Sequence, residues 1–438
     1  MSPAKVLCYA LGMKTTASEA SLRTCFYQPL DLALDRARNS RDCTEYPDSM
    51  YLHAGVGRVI EGAKSGRQWI QLYQALINTA MSVATFFAAL RSQRRLRLLQ
   101  EVDLDVRQQT DQRMREYGDP FAEHPELQGF AIYATDGHSH GASAHEDKRY
   151  GKKRAVNHIF SLNLRSHSMA HLTVTQPAEN KKKEHEIKAL KRIGGSALRL
   201  HHPKGVKGIH VYDPAVWDTT AWYQWKQGHG VYIITLEKSN SAALTIGLRG
   251  WDKTDPRNRG VLSDELISSA HGTSLRRVRY QDPVTGNMYS FITNEMTLPP
   301  GLIAFLYKLR WDVEKVFDEC KNKLEQQQAW GKRVTAKTQQ ALFMVLSHNM
   351  MLILEKKLEV QEGIVDEKVR RKRVQRLAAD SQRAVAAGRT PNSLVENLHR
   401  ATQRSLQFIR WLRTGLTLNT SWQQAVEHLR PLMLKYLA

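Results

Sequence analysis

Four residues near the middle of the chain, Tyr307, Arg310, Glu314 and Lys321, constrain it more than any bulk property does. They lie in LIAFLYKLRWDVEKVFDECKNKLEQQQAW at spacings of 3, 4 and 7, and nothing in that segment breaks a helix. At about 100° per residue the four fall within an arc of about 60°, so one helical face presents a carboxylate, two cations and a phenol. Leu302, Phe305, Leu306, Leu309, Val313 and Phe317 supply a neighbouring apolar face for packing. The plain alternative is a solvated charged face with i,i+4 pairing. Chance argues against it. Four specified types at four fixed positions arise roughly once in 10⁵ starts if each type has a usage of about 5%, and the chain has only 438 residues.

Carboxylates recur at the ends of two predicted strands upstream. Residues 130–135 are a short apolar run that leads into Asp136 and a turn at Gly137. Residues 158–165 and 169–175 alternate apolar and polar side chains as strands do. Residues 181–193 are charged and amphipathic, which predicts a helix, and Gly194-Gly195 ends it. Residues 208–213 form another strand that ends in a carboxylate, Asp213, and residues 231–236 form a fifth. Further on, 275–281 and 287–293 read as a hairpin with its turn at 282–286, and 340–354 as a buried helix.

The complete Y-x2-R-x3-E-x6-K spacing, with acids at two strand ends before it, resembles the signature of a large branch of the DDE transposases of bacterial insertion sequences. The resemblance covers about 128–360. It implies an α/β fold: an RNase H-like mixed sheet flanked by helices, a β-rich insertion before the catalytic Glu, and mainly α-helical N- and C-terminal regions. It implies Asp136, Asp213 and Glu314 as the catalytic, metal-binding triad. Asp218 is the rival for the second place, although past Pro214 a helix cap is its more natural role. The implied cofactor is Mg²⁺, which Mn²⁺ can replace. Two such ions about 3.5–4 Å apart activate an oxygen nucleophile and relieve charge on the leaving oxygen, and Mg²⁺ prefers carboxylates to imidazole or thiolate. DNA contacts are implied for Arg310 as a bidentate phosphate grip, Lys321 as a point charge and Tyr307 as a donor or platform. Tyr289 is implied to stack on a base swung out of the duplex, with simple packing of the hairpin as the alternative.

The implied activity is cut-and-paste transposition: phosphodiester hydrolysis at the element's ends, then attack of the freed 3′-hydroxyl on target DNA. The implied partners are DNA, both terminal inverted repeats and target, and a second copy of the chain on the paired ends. The implied place is the bacterial cytoplasm, at the nucleoid through DNA. A catalytically inactive DNA-binding derivative and an RNase H-like nuclease remain the alternatives.

The charge balance agrees independently. Sixty-four Lys and Arg stand against 43 acids, a net charge of +21, as a polyanion partner requires. From residue 331 onward, 19 Lys and Arg face 8 Asp and Glu, about half of the surplus in a quarter of the chain. The densest run is Lys368 to Arg373, in which Arg371 and Arg373 are expected on phosphates, as are Arg94 and Arg95 in the earlier cluster Arg91 to Arg97. Lys181, Lys182 and Lys183 form a third cluster. Four cysteines without a CxxC pair support neither a zinc finger nor a disulfide scaffold. His138, His140 and His145 are read as loop residues after the first acid. Residues 68–90 carry no charge, but seven Gln, Asn, Ser and Thr interrupt them, so a buried pair of helices is expected rather than a membrane span. The expected regions are a poorly defined extension over 1–66, a helical DNA-end-binding region over 67–127, and the catalytic core over 128–360 with its insertion at about 239–300. A separate basic helical region follows over 361–438.

Overall fold

From residue 130 to residue 236 the strand order read from the sequence is that of the computed structural model, which describes residues 20–41, 46–62, 65–77, 81–148, 153, 155–176, 184–200, 202, 205–391, 394, 401 and 403–434. Helices α1 (Leu22–Arg36), α2 (Asp48–Glu61), α3 (Gly66–Ile77), α4 (Val83–Ala89) and α5 (Gln93–Glu116) precede the first strand. Then come β1 (Phe130–His140), β2 (Val156–Asn163), β3 (Met169–Val174), α6 (Glu186–Leu198), β4 (Lys207–Val211), α7 (Thr219–His229) and β5 (Val231–Leu236). The insertion supplies β6 (Leu244–Leu248), β7 (Val261–Ser268), β8 (Ser274–Gln281) and β9 (Met288–Thr293). Helices α8 (Pro300–Leu309), α9 (Trp311–Asp318), α10 (Val334–Glu362), α11 (Glu367–Ala386), α12 (Leu406–Leu418) and α13 (Trp422–Leu434) complete the chain.

The described strands form one nine-stranded mixed sheet in the order β3-β2-β1-β4-β5-β9-β8-β7-β6. β1 pairs antiparallel with β2 and parallel with β4, and β4 runs parallel with β5, which is an RNase H-like arrangement. The insertion extends the same sheet, because β9 pairs antiparallel with β5. Its predicted hairpin is present as β8 and β9, and Asp282 organises the turn by accepting from the Val284 and Thr285 N–H groups. Neighbouring residues of a strand point to opposite faces, and here both faces are covered. Ile159, Ile233 and Ile292 join Leu190, Trp222 and Trp225 of α6 and α7 in one core. Phe160, Ile234 and Phe291 join α8, α9 and α10 in the other.

Two expected boundaries give way. Residues 1–66 are not all extension, since α1 and α2 bury Leu22, Phe26, Leu30, Leu52 and Val59 completely or nearly so. Apolar residues at i, i+4 and i+8 already mark α1, and Ser21 caps its start by accepting from the Thr24 N–H, but Pro29 interrupts the pattern in sequence. The C-terminal stretch is not separate either. Leu412 and Leu416 of α12 and Leu429 of α13 share the core of α1, and backbone bonds of 2.8 Å tie Leu22 to Thr420 and Trp422 to Ala20. Among the described residues of this stretch, α11 stays mostly exposed, burying Glu367 and Ala384.

The expected buried helix is the centre of α10, which links the N-terminal helices to the sheet through satisfied polar groups. Tyr51 of α2 donates to Gln339 at 2.5 Å, and Asn349 both accepts from the Met169 N–H and donates to the Met169 carbonyl. Leaving such a buried group without a partner costs about 1–3 kcal/mol. The expected pair of apolar helices is α3 and α4, and no helix of the described residues is long and apolar enough to cross a membrane.

Candidate active site

Register brings the two aspartates side by side. Ala134 of β1 lies opposite Val211 of β4 in a parallel pair, and Asp136 and Asp213 each follow two residues later. Asp213 stands just past β4, where its Oδ1 accepts from the Ala215 N–H at 2.9 Å. Glu314 comes from the helical layer on α9, which buries Val313, Val316 and Phe317. Arg310 joins the two layers: its Nη1 is 3.0 Å from Asp136 Oδ2 and 3.0 Å from Glu314 Oε1. A guanidinium between two carboxylates offsets their repulsion, and in a poorly hydrated site that attraction is strong.

Burial pushes the Asp136 carboxyl up to about 7. The Gly137 N–H and Arg310 oppose this, while the charges of Asp213 and Glu186 add to it. Glu186 is thus a fourth acid at the site, and sequence reasoning missed it. It opens α6, its Oε1 accepts from the Asn157 amide at 2.8 Å, and burial, with Asp213 adding, raises its pKa. Gly137 must be glycine for this approach, since a Cβ there would lie 2.0 Å from Glu186 Oε1. The only sequence signal was an acid in the first turn of the helix after the third strand, which does not distinguish it from neighbouring Glu184.

The four signature residues do not share one regular α-helix. α8 ends at Leu309, the Arg310 N–H bonds to the Tyr307 carbonyl at 3.1 Å, and α9 gives way to a π turn over Glu319–Lys323. These departures change the angular phase, so equal 100° steps do not place Lys321. Lys321 is exposed, and after burial its charge is the second influence bringing His138, two residues past Asp136, down to about 4. Tyr307 is buried with its ring 5.1 Å from Phe291. Tyr289 is half-buried and stacks on Phe291 at 5.9 Å and 15°. A cavity of about 520 Å³ opens here, lined by Tyr289, Phe291, Tyr307, Trp311 and Glu314, with Arg376 of α11 on its wall.

The other expected residues divide. Asp218 is occupied as a cap: it accepts from the Ala221 N–H at 2.9 Å and from Lys191 at 2.7 Å. Arg94 and Arg95 need correction, because they bind protein rather than face solvent. Arg94 grips both oxygens of buried Asp48 at 2.7 Å, and Arg95, 8% exposed, lies over the rings of Tyr46 and Tyr51. Arg371 is on exposed α11, where Glu367 is 3.6 Å away, and Arg373 borders a second cavity of about 660 Å³. Lys181, Lys182 and Lys183 lie outside the described residues. The histidines also need correction: β1 runs on to His140, so His138 and His140 are buried strand residues. They continue through His158 to His171 in a file with ring centroids 5.1 to 5.2 Å apart, kept neutral by burial. Among the described residues, no three His, Cys, Asp or Glu side chains form a group that could hold a metal ion as they stand.

Comparison with known proteins gives one family. The model of the transposase DDE domain matches residues 125–350, from just before β1 to the middle of α10. No curated protein matches the chain.

Proposed function

The chain belongs to the transposase DDE-domain family, and from that premise we propose that it is a cut-and-paste transposase of a bacterial insertion sequence, of the branch marked here by Tyr307, Arg310, Glu314 and Lys321. The observation that carries the reading is the side-by-side placement of Asp136 and Asp213 by parallel register, with Glu314 joined to Asp136 through Arg310.

The donor set fits a hard divalent cation, being carboxylate oxygen only, and burial leaves Asp136 in need of positive charge beside it. The family is generally dependent on divalent metal. Asp136, Asp213 and Glu314 would hold Mg²⁺, or Mn²⁺ in its place, with Glu186 close by. When bound, such ions lower the pKa of a water and neutralise the leaving oxygen. Arg310 holds Asp136 and Glu314 within reach of each other before the ion arrives. Lys321 and the cations of α11 neutralise backbone phosphates. Tyr289, on the cavity wall beside Glu314, offers its ring to a base displaced from the duplex. Recognition of the terminal repeats by the helices of 67–127, and pairing of two chains so that two ends are joined, belong to the same reading.

The test is cleavage, in Mg²⁺, of DNA that carries the element's own ends. Asp136→Ala, Asp213→Ala and Glu314→Ala should each abolish cleavage while end binding stays near normal, because phosphate contacts rather than metal ligands carry affinity. Glu186→Gln should slow cleavage by about 10- to 100-fold, the range for a residue that supports metal ligands. Near-normal cleavage by Asp213→Ala, with loss in Asp218→Ala, overturns the second assignment.

A further inference from the structure

Among the described residues, one buried guanidinium faces a cavity instead of an acid. Other deeply buried guanidinium groups sit on carboxylates: Arg276 on Asp264 at 2.8 Å, Arg277 on Glu237 at 2.5 Å and Arg404 on Glu319 at 2.5 Å. Arg58 of α2 is 4% exposed, yet its Nε and Nη1 have no hydrogen-bond partner. No carboxylate among the described residues pairs with it. Its contacts are aromatic faces, with the guanidinium carbon 4.0 Å from the Trp330 ring and 5.6 Å from Phe87. Ring faces attract a cation, but they leave its N–H groups unsatisfied and its lost hydration uncompensated. Accordingly, burial brings the Arg58 pKa down to about 9. Gly66 lets this happen: a Cβ there would stand 2.5 Å from Phe87 Cζ and 2.9 Å from Arg58 Nη2.

The cavity in front of Arg58 has a volume of about 900 Å³. Arg67 and His145 stand at its exposed rim, Asn322 and Gln326 supply amides, and Glu325 is the acid on its wall. Its location bears on the reaction. Gly141, five residues past Asp136 and so about 16 Å along an extended chain, exchanges backbone bonds with Gln327 and Ala329 at 2.7 and 2.9 Å. Asn322 directly follows Lys321. The cavity therefore adjoins both the strand that carries the first acid and the turn that carries the signature lysine.

We infer that the Arg58 cavity is an anion site that takes a phosphate group, and that in the working protein this phosphate belongs to the DNA strand flanking the cleaved position. A guanidinium that borders a cavity, and whose charge no acid of the described residues balances, attracts a phosphate, and the two rings hold it rigid in advance. A phosphate supplies the missing charge. The DNA assignment rests on the function proposed above; the phosphate chemistry does not.

The experiment compares the full chain with Arg58→Met, which keeps length and packing without charge, and with Arg58→Lys, which keeps charge without the fork. Inorganic phosphate is titrated at constant ionic strength and the Tm is read. The Tm of the unmodified chain should rise with phosphate, that of Arg58→Met should not, and Arg58→Lys should respond more weakly. No response in the unmodified chain, or an equal response in Arg58→Met, overturns the anion site. An equal response in Arg58→Lys overturns the role of the fork. DNA binding is then measured against salt, where Arg58→Met should lower the slope of log K on log salt by about 0.9, the value of one neutralised phosphate. A phosphate response with an unchanged DNA slope overturns the DNA assignment and leaves a site for free phosphate. Neither readout uses cleavage, so a failure here is distinct from a failure of the proposed function.

Discussion

Two arginine-rich helices look alike in sequence and differ in the fold. The cluster Arg91 to Arg97 opens α5, and the run Lys368 to Arg373 opens α11. At α5 two of the arginines turn inward while Arg91 and Arg97 stay exposed: Arg94 and Arg95 converge on Asp48, which is almost wholly buried, and Arg95 is covered by two tyrosines. In α11 Arg370 and Arg371 stay outside, and among the described residues they approach Glu367, at 3.5 and 3.6 Å on an exposed face. The difference lies in what surrounds each helix. α5 carries Leu98, Leu99, Val102 and Val106 at helical spacing, so it docks against α1 and α10 and takes its arginines into the interface. α11 buries only Ala384 of its apolar residues and leaves Val374 and Val385 exposed, so it remains a surface. A basic run is thus open to a polyanion only where its helix stays outside the core, and an arginine inside an interface acts as a structural ion.

The largest expected effect tests the outer helix. Neutralising Lys368, Arg370, Arg371, Lys372 and Arg373 together should weaken binding to all DNA sequences and lower the salt slope by about 0.9 for each phosphate no longer neutralised. The Tm should hardly move, since exposed ion pairs contribute about 0–1 kcal/mol. An unchanged slope would show that α11 faces solvent or the second protomer.

Arg95→Met should behave in the opposite way. Breaking a buried pair costs about 3–5 kcal/mol; Asp48 keeps Arg94, so the loss should fall toward the lower end and be read as a clear drop in Tm. The DNA salt slope should be unaltered. A lower slope at constant Tm would invert the comparison and return Arg95 to the DNA surface.

Tyr289 lies between the two classes, being half-buried on the cavity wall with one face against Phe291. Tyr289→Ala should leave folding and first-strand nicking largely intact and impair the later step that needs a distorted end, since stacking on one base contributes about 1–3 kcal/mol. If the variant unfolds, or completes strand transfer normally, the residue only packs the hairpin.

Much of the core was legible in the chain because its signals are local. Period-two alternation marked the strands, Asp282 and Gly286 marked the hairpin, and the Tyr-Arg-Glu-Lys spacing marked the helical side of the site. The two strand ends at Asp136 and Asp213 were also legible, but their neighbouring places rest on the parallel register of β1 and β4. What the sequence did not show depends on partners far away along the chain. Glu186 became a site residue because Gly137 leaves room for its carboxylate. Arg95 became structural because Asp48 and two tyrosines meet it, and α1 joined the core because α12 and α13 return to cover it. The helical segment carrying Glu314 breaks after Leu309 and passes into a π turn at Glu319–Lys323, which no residue in it announces. Periodicity reports which face of an element is apolar. Charge pairing, burial of a cation and the approach of a fourth acid are set by which faces meet, and only the tertiary structure decides that.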